Sequence, residues 1–81
     1  MAKKKNNNIV HQYFKKEFPD FKILVKINPF TYQGTEITVE TNNQVNIREL
    51  EGDEEIFEDL KADNFIEASP LEFNLYFTRL A

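Results

Sequence analysis

The stretch from Phe21 to Ile47 constrains the fold most, because three successive segments in it alternate apolar and polar residues. An apolar residue at every second position is typical of a β-strand with one buried and one solvated face. We therefore expect three antiparallel strands whose odd-numbered residues share one buried face. Those residues are Phe21, Ile23, Val25 and Ile27 in the first segment, Ile37 and Val39 in the second, and Val45 and Ile47 in the third.

The loop between the second and third segments sets their register. A three-residue loop over residues 41–43 places Val39 opposite Val45, so that apolar side chains meet on one face. A two-residue turn would place Val39 opposite a polar residue instead. In the longer loop, Asn43 takes the left-handed conformation that such loops need. We therefore predict the three-residue loop.

The turn between the first and second segments creates a conflict. A tight turn at Gln33 and Gly34 places Ile27 opposite Glu40, so that the two strands would bury opposite faces. Pro29 cannot donate to a strand ladder and is a natural place for a bulge that absorbs one residue. With that bulge, the solvated face carries opposite charges on neighbouring strands, which favours their pairing. These residues are Lys22 and Lys26, then Glu36 and Glu40, then Arg48.

Helical spacing marks the residues before the first strand. Val10, Phe14 and Phe18 recur every four residues and would form one apolar side of a helix. Pro19 disfavours helical geometry in the residue before it and would end that helix. We expect a first helix over residues 9–18, preceded by a disordered basic tail over residues 1–8.

A second helix is predicted over residues 53–62. Asp53 is a good cap, and the carboxylates of the first turn are favoured by the helix dipole. Apolar residues on one side of the helix would face the sheet. Residues 63–64 end this helix, and residues 65–68 are expected to be extended and could add a fourth strand at an edge.

The C-terminal segment fits two patterns. Its apolar residues from Leu71 to Leu80 satisfy both the alternation of a strand and the i, i+3, i+4, i+7 spacing of a helix. Ser69 to Glu72 form a capping box with Pro70 at the first helical position, which favours the helix. We predict a helix from Pro70 to Leu80, with a strand hairpin as the alternative.

These elements predict one α+β domain over residues 9–81, with a small antiparallel three-stranded sheet and helices packed on one face. The order is helix, three strands, helix, a possible edge strand, helix. The first and third helices would cover the sheet, and the second would lie at an edge. The predicted core comprises Val10, Phe14, Phe18, Ile23, Val25, Ile27, Ile37, Val39, Val45, Ile47, Phe57, Leu60, Phe73, Phe77 and Leu80.

Composition excludes the familiar routes to catalysis. The chain has no cysteine, and its two glycines, at positions 34 and 52, cannot form a phosphate-binding loop. His11 is the one histidine, and Ser69, the one serine, is explained by helix capping. The carboxylates between Glu49 and Glu72 lack the spacing of a calcium loop. We expect no catalytic residue, metal site, cofactor or enzymatic activity.

Charge is unevenly distributed along the chain, whose formal net charge is −4. Residues 1–26 hold seven lysines and two acids, whereas residues 27–81 hold three basic and twelve acidic residues. This asymmetry can mark an interaction surface at each end, or let the two parts attract each other within the fold. No apolar run suits a signal peptide or a membrane span, so we expect a soluble cytoplasmic protein.

A protein-protein interaction module is the function that these features favour. The loop from Asn28 to Gly34 holds two aromatic residues where a turn is usually polar, and aromatics on a rigid loop often anchor a partner. Alternatively, Phe30 folds back to plug the end of the core. The acidic surface offers a second route to a partner. The candidate partner-binding residues are Phe30, Tyr32, Glu54, Glu55, Glu58 and Asp59.

Nucleic-acid binding is the alternative function. The basic tail and first helix would contact phosphates through Lys3, Lys4, Lys5, Lys15 and Lys16. The predicted order helix, three strands, helix resembles that of double-stranded RNA-binding domains, but Leu71 and Glu72 stand where such domains carry lysines. The net negative charge opposes this function. Homodimerisation through an uncovered edge strand is a further option.

Overall fold

A five-stranded antiparallel sheet organises residues 10–78, the part of the chain that this computed structural model describes. The strands are β1 (Gln12–Glu17), β2 (Phe21–Ile27), β3 (Gln33–Glu40), β4 (Val45–Glu51) and β5 (Ile66–Glu67), and the helices are α1 (Ile56–Ala62) and α2 (Pro70–Phe77). Across the sheet the order is β4-β3-β2-β1-β5. The expected three-stranded sheet with a leading helix and helices on one face is therefore wrong. Sheet predominates, and the two helices cover opposite faces.

Strand β1 replaces the predicted first helix over residues 9–18. Tyr13 and Phe14 are neighbours in the strand, so they point to opposite faces, and each contacts a different core cluster. Because both faces are buried here, the sequence shows no clear alternation, and the spacing of its aromatic residues imitates a helix. Val10, an expected core residue, is 71% exposed.

The register between β2 and β3 explains why both faces are buried. Leu24 pairs with Ile37 and Val25 pairs with Glu36, so Ile37 lies on the face of Leu24 and not on that of Val25. The pairing continues without interruption along β2, and Pro29 lies in the following loop and not in a bulge. The predicted shared face of the two strands is therefore wrong. The conflict in their alternation is real, and the fold resolves it with a core on each side.

Helix α1 covers the face that carries the odd-numbered residues of β2. Leu60, the buried residue of this helix, packs with Phe14, Val25 and Ile27. The partly buried residues Ile23, Leu50, Ile56, Phe57 and Phe65 complete this first core. The sequence had predicted that this helix lies at an edge of the sheet. That prediction is wrong, because the helix lies over the face of the sheet.

Helix α2 covers the opposite face. Phe73 is 1% exposed and packs with Leu24, Ile37 and Val39 to form the second core. Leu24 is completely buried, although the alternation of β2 placed it on the solvated side. The alternation in the sequence therefore did not predict that Leu24 lies in the core of this face.

Two further expected core residues are exposed in the structure. Ile47 lies on the edge strand β4, and Phe77 is the last residue of α2. Helix α2 lies over β2 and β3, so it does not cover Ile47 on β4. Phe77, at the end of the helix, is only partly covered. Their exposed fractions are 38% and 44%. Leu80 lies outside the described residues, as does the predicted tail over residues 1–8.

Charges are also distributed differently from the prediction. Lys22 and Lys26 share the face covered by α2, whereas Glu36 and Glu40 share the face covered by α1. The expected pairing of lysines with glutamates across β2 and β3 is therefore wrong. Between β3 and β4 the prediction is confirmed, because the Arg48 Nε lies 2.6 Å from the Glu36 carboxylate.

The hairpin of β3 and β4 follows the prediction. Val39 pairs with Val45, and Ile37 pairs with Ile47. Asn43 adopts a left-handed φ of 67°, and its N–H donates to the Glu40 carbonyl at 2.8 Å. The three-residue loop and its left-handed asparagine are confirmed.

Helix α1 begins at Ile56, later than predicted. Asp53 stabilises the preceding turn, where its carboxylate accepts the Glu55 N–H and its carbonyl accepts the Ile56 N–H, both at 2.9 Å. Asn64 ends the helix with a left-handed φ of 68°. The amides of Asn64 and of the next residue bond back into the last turn as a Schellman motif. The chain then forms the predicted edge strand, β5, which pairs with β1.

The capping of α2 follows the prediction in part. The Ser69 Oγ accepts the Glu72 N–H at 3.1 Å, and Pro70 is the first helical residue. The predicted helix is confirmed as far as Phe77, and the alternative hairpin is wrong. The Glu72 carboxylate turns to the sheet instead of to the Ser69 N–H.

Candidate interaction surface

The loop between β2 and β3 is held by hydrogen bonds around Asn28. The Asn28 side chain accepts the N–H groups of Phe30 at 2.8 Å and Thr31 at 3.2 Å. Its carbonyl accepts the Tyr32 N–H, and its own N–H donates to the Gln33 carbonyl, both at 2.8 Å. An asparagine that bonds the backbone two residues ahead forms an Asx turn. These hydrogen bonds therefore hold the backbone of the loop in one conformation.

The two aromatic residues of this loop have different surroundings. Phe30 is 74% exposed. Tyr32 adopts a φ of 65°, and its ring meets the Phe57 ring of α1 edge-on, with centroids 6.3 Å apart. Tyr32 therefore packs against the fold, whereas Phe30 does not plug the core. An exposed aromatic ring on a fixed backbone can bury a large area with little loss of conformational entropy.

The acidic segment begins beside this loop. The Gly52 N–H donates to the Tyr32 carbonyl at 3.0 Å, which links the end of β4 to the loop. The contact between Tyr32 and Phe57 links the loop to α1. The predicted acidic residues lie in the turn before α1 and in its first turns, and all four are exposed: Glu54, Glu55, Glu58 and Asp59. The structure thus brings both predicted partner-binding groups to one end of the sheet.

A cleft of about 280 Å³ adjoins the same region. It lies between the loop, α1 and strands β1 and β5. Phe14 and Phe57, with ring centroids 5.9 Å apart, supply its aromatic lining. Pro29 and Lys61 also line it. An apolar depression therefore lies next to the loop that carries Phe30.

The lysines of the predicted nucleic-acid surface are separated. Lys15 and Lys16 are neighbours on β1, so they point to opposite faces. Lys15 lies 3.1 Å from the Glu72 carboxylate, and Lys16 Nζ lies 5.0 Å from the centre of the Phe18 ring. The prediction of a single basic helix face is therefore wrong. The element order that resembled double-stranded RNA-binding domains is also wrong, because the chain begins with a strand and not with a helix. Lys3, Lys4 and Lys5 lie outside the described residues.

Glu72 joins α2 to the sheet through two lysines, Lys15 at 3.1 Å and Lys22 at 3.4 Å. Partial burial raises the pKa of the Glu72 carboxyl. The hydrogen bonds and positive charges of Lys15 and, to a smaller extent, Lys22 lower this pKa by more. The pKa is held below its ordinary value of 4.5. A hydrogen bond with Tyr76 raises the pKa of Lys22 above 10.5, against the lowering effect of burial, and Glu72 adds to the rise.

The stabilising effect of Glu72 should disappear in acid. A carboxyl whose pKa is lower in the folded state stabilises the fold above its unfolded pKa, and this effect is lost as pH falls through the folded pKa. At pH 7, Glu72→Gln should lower the free energy of unfolding by about 1 kcal/mol. The difference should shrink as the pH falls below 4.5.

Urea unfolding of the wild-type protein and the variant at a series of pH values measures this effect. Glu58→Gln is the matched control, because Glu58 is exposed on α1. That variant should differ little from wild type in its free energy of unfolding at pH 7. A loss in Glu72→Gln that stays constant from neutral to acid pH would contradict the electrostatic role.

Residues with catalytic or metal-binding chemistry are dispersed. Within residues 10–78, no three acidic, histidine or cysteine side chains are placed to hold a metal ion. Ser69 caps α2, and His11 borders a polar cleft of about 230 Å³ with Lys26 and Glu49. No helix in this part of the chain is both long and apolar enough to span a membrane.

Helix α2 has a second apolar side, which faces solvent and was not predicted. Leu71 and Leu75 are 80% and 58% exposed. They lie four residues apart and therefore share one side of the helix, away from the buried Phe73. Their i, i+4 spacing is the sequence signal for this second side, whereas the predicted helix had one apolar side only.

Comparison with protein families, curated proteins and solved structures found no match for this chain. A functional assignment therefore rests on the surfaces described above.

Proposed function

We propose that this protein is a non-enzymatic protein-binding module. Its partner meets the Phe30 surface, which comprises the loop from Asn28 to Tyr32 and the adjoining acidic residues Glu54, Glu55, Glu58 and Asp59. The observation that carries this proposal is the 74% exposure of Phe30 on a loop fixed by hydrogen bonds. A ring left in water by a rigid backbone costs solubility, and it is the type of group that dominates binding energies at interfaces.

The surface defines the chemistry of the partner. The Phe30 ring fits an apolar pocket, and the exposed carboxylates of the segment linked to this loop favour lysine and arginine around that pocket. Exposed charges at the rim act mainly on the association rate and are weakened by salt. The expected partner is therefore a protein with an apolar depression surrounded by basic residues.

Replacing Phe30 should remove partner binding without affecting the fold. Proteins retained on the immobilised wild-type chain should be depleted about tenfold or more on Phe30→Ala, the loss expected at an interface hot spot. Quantitative mass spectrometry of the retained proteins gives this ratio. Leu71→Ala is the matched control, because it truncates another exposed apolar side chain, on α2, and should leave retention unchanged.

Reversal of the acidic charges provides an independent measurement. A variant with lysine at positions 54, 55 and 58 should slow association with the retained protein, most strongly at low salt. Surface plasmon resonance at two salt concentrations measures the rate. Equal retention by wild type, Phe30→Ala and the charge-reversed variant would reject the proposal.

A further inference from the structure

Strand β4 leaves a long row of backbone groups without a strand partner. Its inner neighbour is β3, and among the described residues no strand lies on its outer side. The strand is seven residues long, contains no proline and pairs with β3 in an unbroken register. Other proteins block such edges with proline, bulges or very short strands. Here the opposite edge, β5, is only two residues long, whereas β4 is open.

The hydrogen bonds of the hairpin show which residues of β4 face outward. The Glu40 N–H donates to the Gln44 carbonyl, and the Gly52 N–H donates to the Tyr32 carbonyl. In an antiparallel ladder, hydrogen-bonded pairs alternate with pairs that direct these groups away from each other. The even-numbered residues of β4 therefore bond to β3. The N–H and C=O groups of Val45, Ile47, Glu49 and Glu51 point outward.

We propose that a second copy of this chain pairs with β4 in antiparallel orientation, about a two-fold axis at Ile47. The dimer would contain one continuous ten-stranded sheet. In this register each outward residue faces another outward residue: Ile47 faces its own copy, and Val45 faces Glu49. The backbone N–H of Glu49 donates to the carbonyl of Val45 in the other copy, and the same bond forms twice.

Charge selects this register from the alternatives. A register centred on Arg48 or on Glu49 places like charges directly opposite each other, which destabilises the pairing. One centred on Asn46 pairs only residues 45–47 of each copy. The register centred on Ile47 pairs residues 45–49, and it places Arg48 opposite the uncharged Asn46. It is the longest one in which no like charges face each other.

The apolar side chains at this edge also fit a second copy. Val45 packs at the margin of the second core, and Ile47 lies beside it on the same face with 38% of its surface exposed. Pairing at Ile47 brings the two isoleucines together across the axis and removes both from water. Ile47 is therefore partly exposed in the single chain and would be buried in the dimer.

The dimer is independent of the Phe30 surface and would present two copies of it. Gln33 pairs with Glu51 at the end of β4, and this end lies next to the loop that carries Phe30. Because the two β4 strands run in opposite directions, the two loops lie at opposite ends of the joined sheet. Each copy carries a net charge of −4, so association should strengthen as salt screens the repulsion.

Sedimentation of the full chain over a concentration series tests the association. Wild type should move toward twice the monomer mass as concentration and salt rise. Glu49→Pro should weaken association about tenfold relative to Glu49→Ala, because both variants lose the same charge but only proline removes the outward N–H that is used twice, and Glu49→Ala should dimerise at least as strongly as wild type. A wild-type chain that stays monomeric at millimolar concentration overturns the proposal, as does equal association of the two variants.

Disulfide trapping tests the register, since the natural chain has no cysteine. Single cysteines at positions 46, 47 and 48 are oxidised under the same conditions. Only a residue on the two-fold axis meets its own copy, at a Cα separation of about 5.5 Å that a disulfide can span. Asn46→Cys and Arg48→Cys should cross-link slowly, and Ile47→Cys rapidly. Equal rates, or a faster rate at position 46 or 48, overturn the assigned register.

Discussion

Phe73→Ala should remove a large part of the stability of this fold. The Phe73 ring is 1% exposed and fills the second core between Leu24, Ile37 and Val39. It also meets the Tyr13 ring edge-on, with centroids 5.5 Å apart. Truncating a buried phenylalanine typically costs about 3–5 kcal/mol, and a domain of this length has about 4–12 kcal/mol in total. We expect α2 to separate from the sheet in this variant.

Chemical denaturation of the variant and wild type measures the loss. Phe30→Ala is the matched control, because it makes the same substitution at a residue that is 74% exposed. That control should lie within about 0.5 kcal/mol of wild type. If the two variants had similar unfolding midpoints, α2 would not be part of the cooperative core. Near-ultraviolet circular dichroism would separately report the loss of aromatic packing.

The β3–β4 hairpin was predictable because its information is local. Val39 and Val45 are separated by a short polar loop, and one register alone brings apolar residues together. Asn43 supplies the left-handed residue that this loop needs. The C-terminal helix was predictable for a similar reason, since Ser69 and Pro70 are adjacent start signals. In both cases the deciding residues lie within a few positions of each other.

The two-sided core was not predictable from alternation alone. Ile23, Leu24 and Val25 are three consecutive apolar residues, a pattern typical of a strand buried on both faces. The flanking lysines gave the segment an apparent alternation, which assigned Leu24 to solvent. Strand β1 carries even less signal, because Tyr13 and Phe14 serve opposite cores. The helix that covers each face lies far away in sequence, so no local pattern identifies it.

The candidate site was predictable in position but not in orientation. The sequence placed two aromatic residues in one loop without showing which would pack inward. The structure assigns the inward role to Tyr32, through its left-handed backbone and its contact with Phe57. It leaves Phe30 outside. The loop and the acidic segment are brought together by a hydrogen bond between Gly52 and Tyr32, which lie far apart in sequence. No sequence pattern predicts this bond.

Gly34→Ala should destabilise the fold although Gly34 has an ordinary strand conformation. Gly34 pairs with Ile27 where β2 and β3 leave their loop. A Cβ atom there would overlap the carbonyl oxygen of Lys26 and approach the Ile27 Cδ1 to 2.7 Å. The carbonyl belongs to the strand backbone and cannot rotate away as a flexible side chain could. Overpacking of this kind costs about 1–3 kcal/mol, and we expect a value at the upper end.

The sign of the change makes this experiment decisive. Where a glycine position has room for a Cβ, alanine stabilises a protein by about 0.4–1 kcal/mol, because the unfolded chain loses conformational freedom. If the new Cβ clashes with the Lys26 carbonyl, Gly34→Ala lowers the free energy of unfolding. If there is room for the Cβ, the substitution raises it. Urea unfolding of Gly34→Ala and of the neighbouring Thr35→Ala separates a steric effect from a general loss of strand propensity. Equal or greater stability of Gly34→Ala would mean that β2 and β3 do not approach so closely at this pair, and that the Phe30 loop is anchored more loosely than its hydrogen bonds indicate.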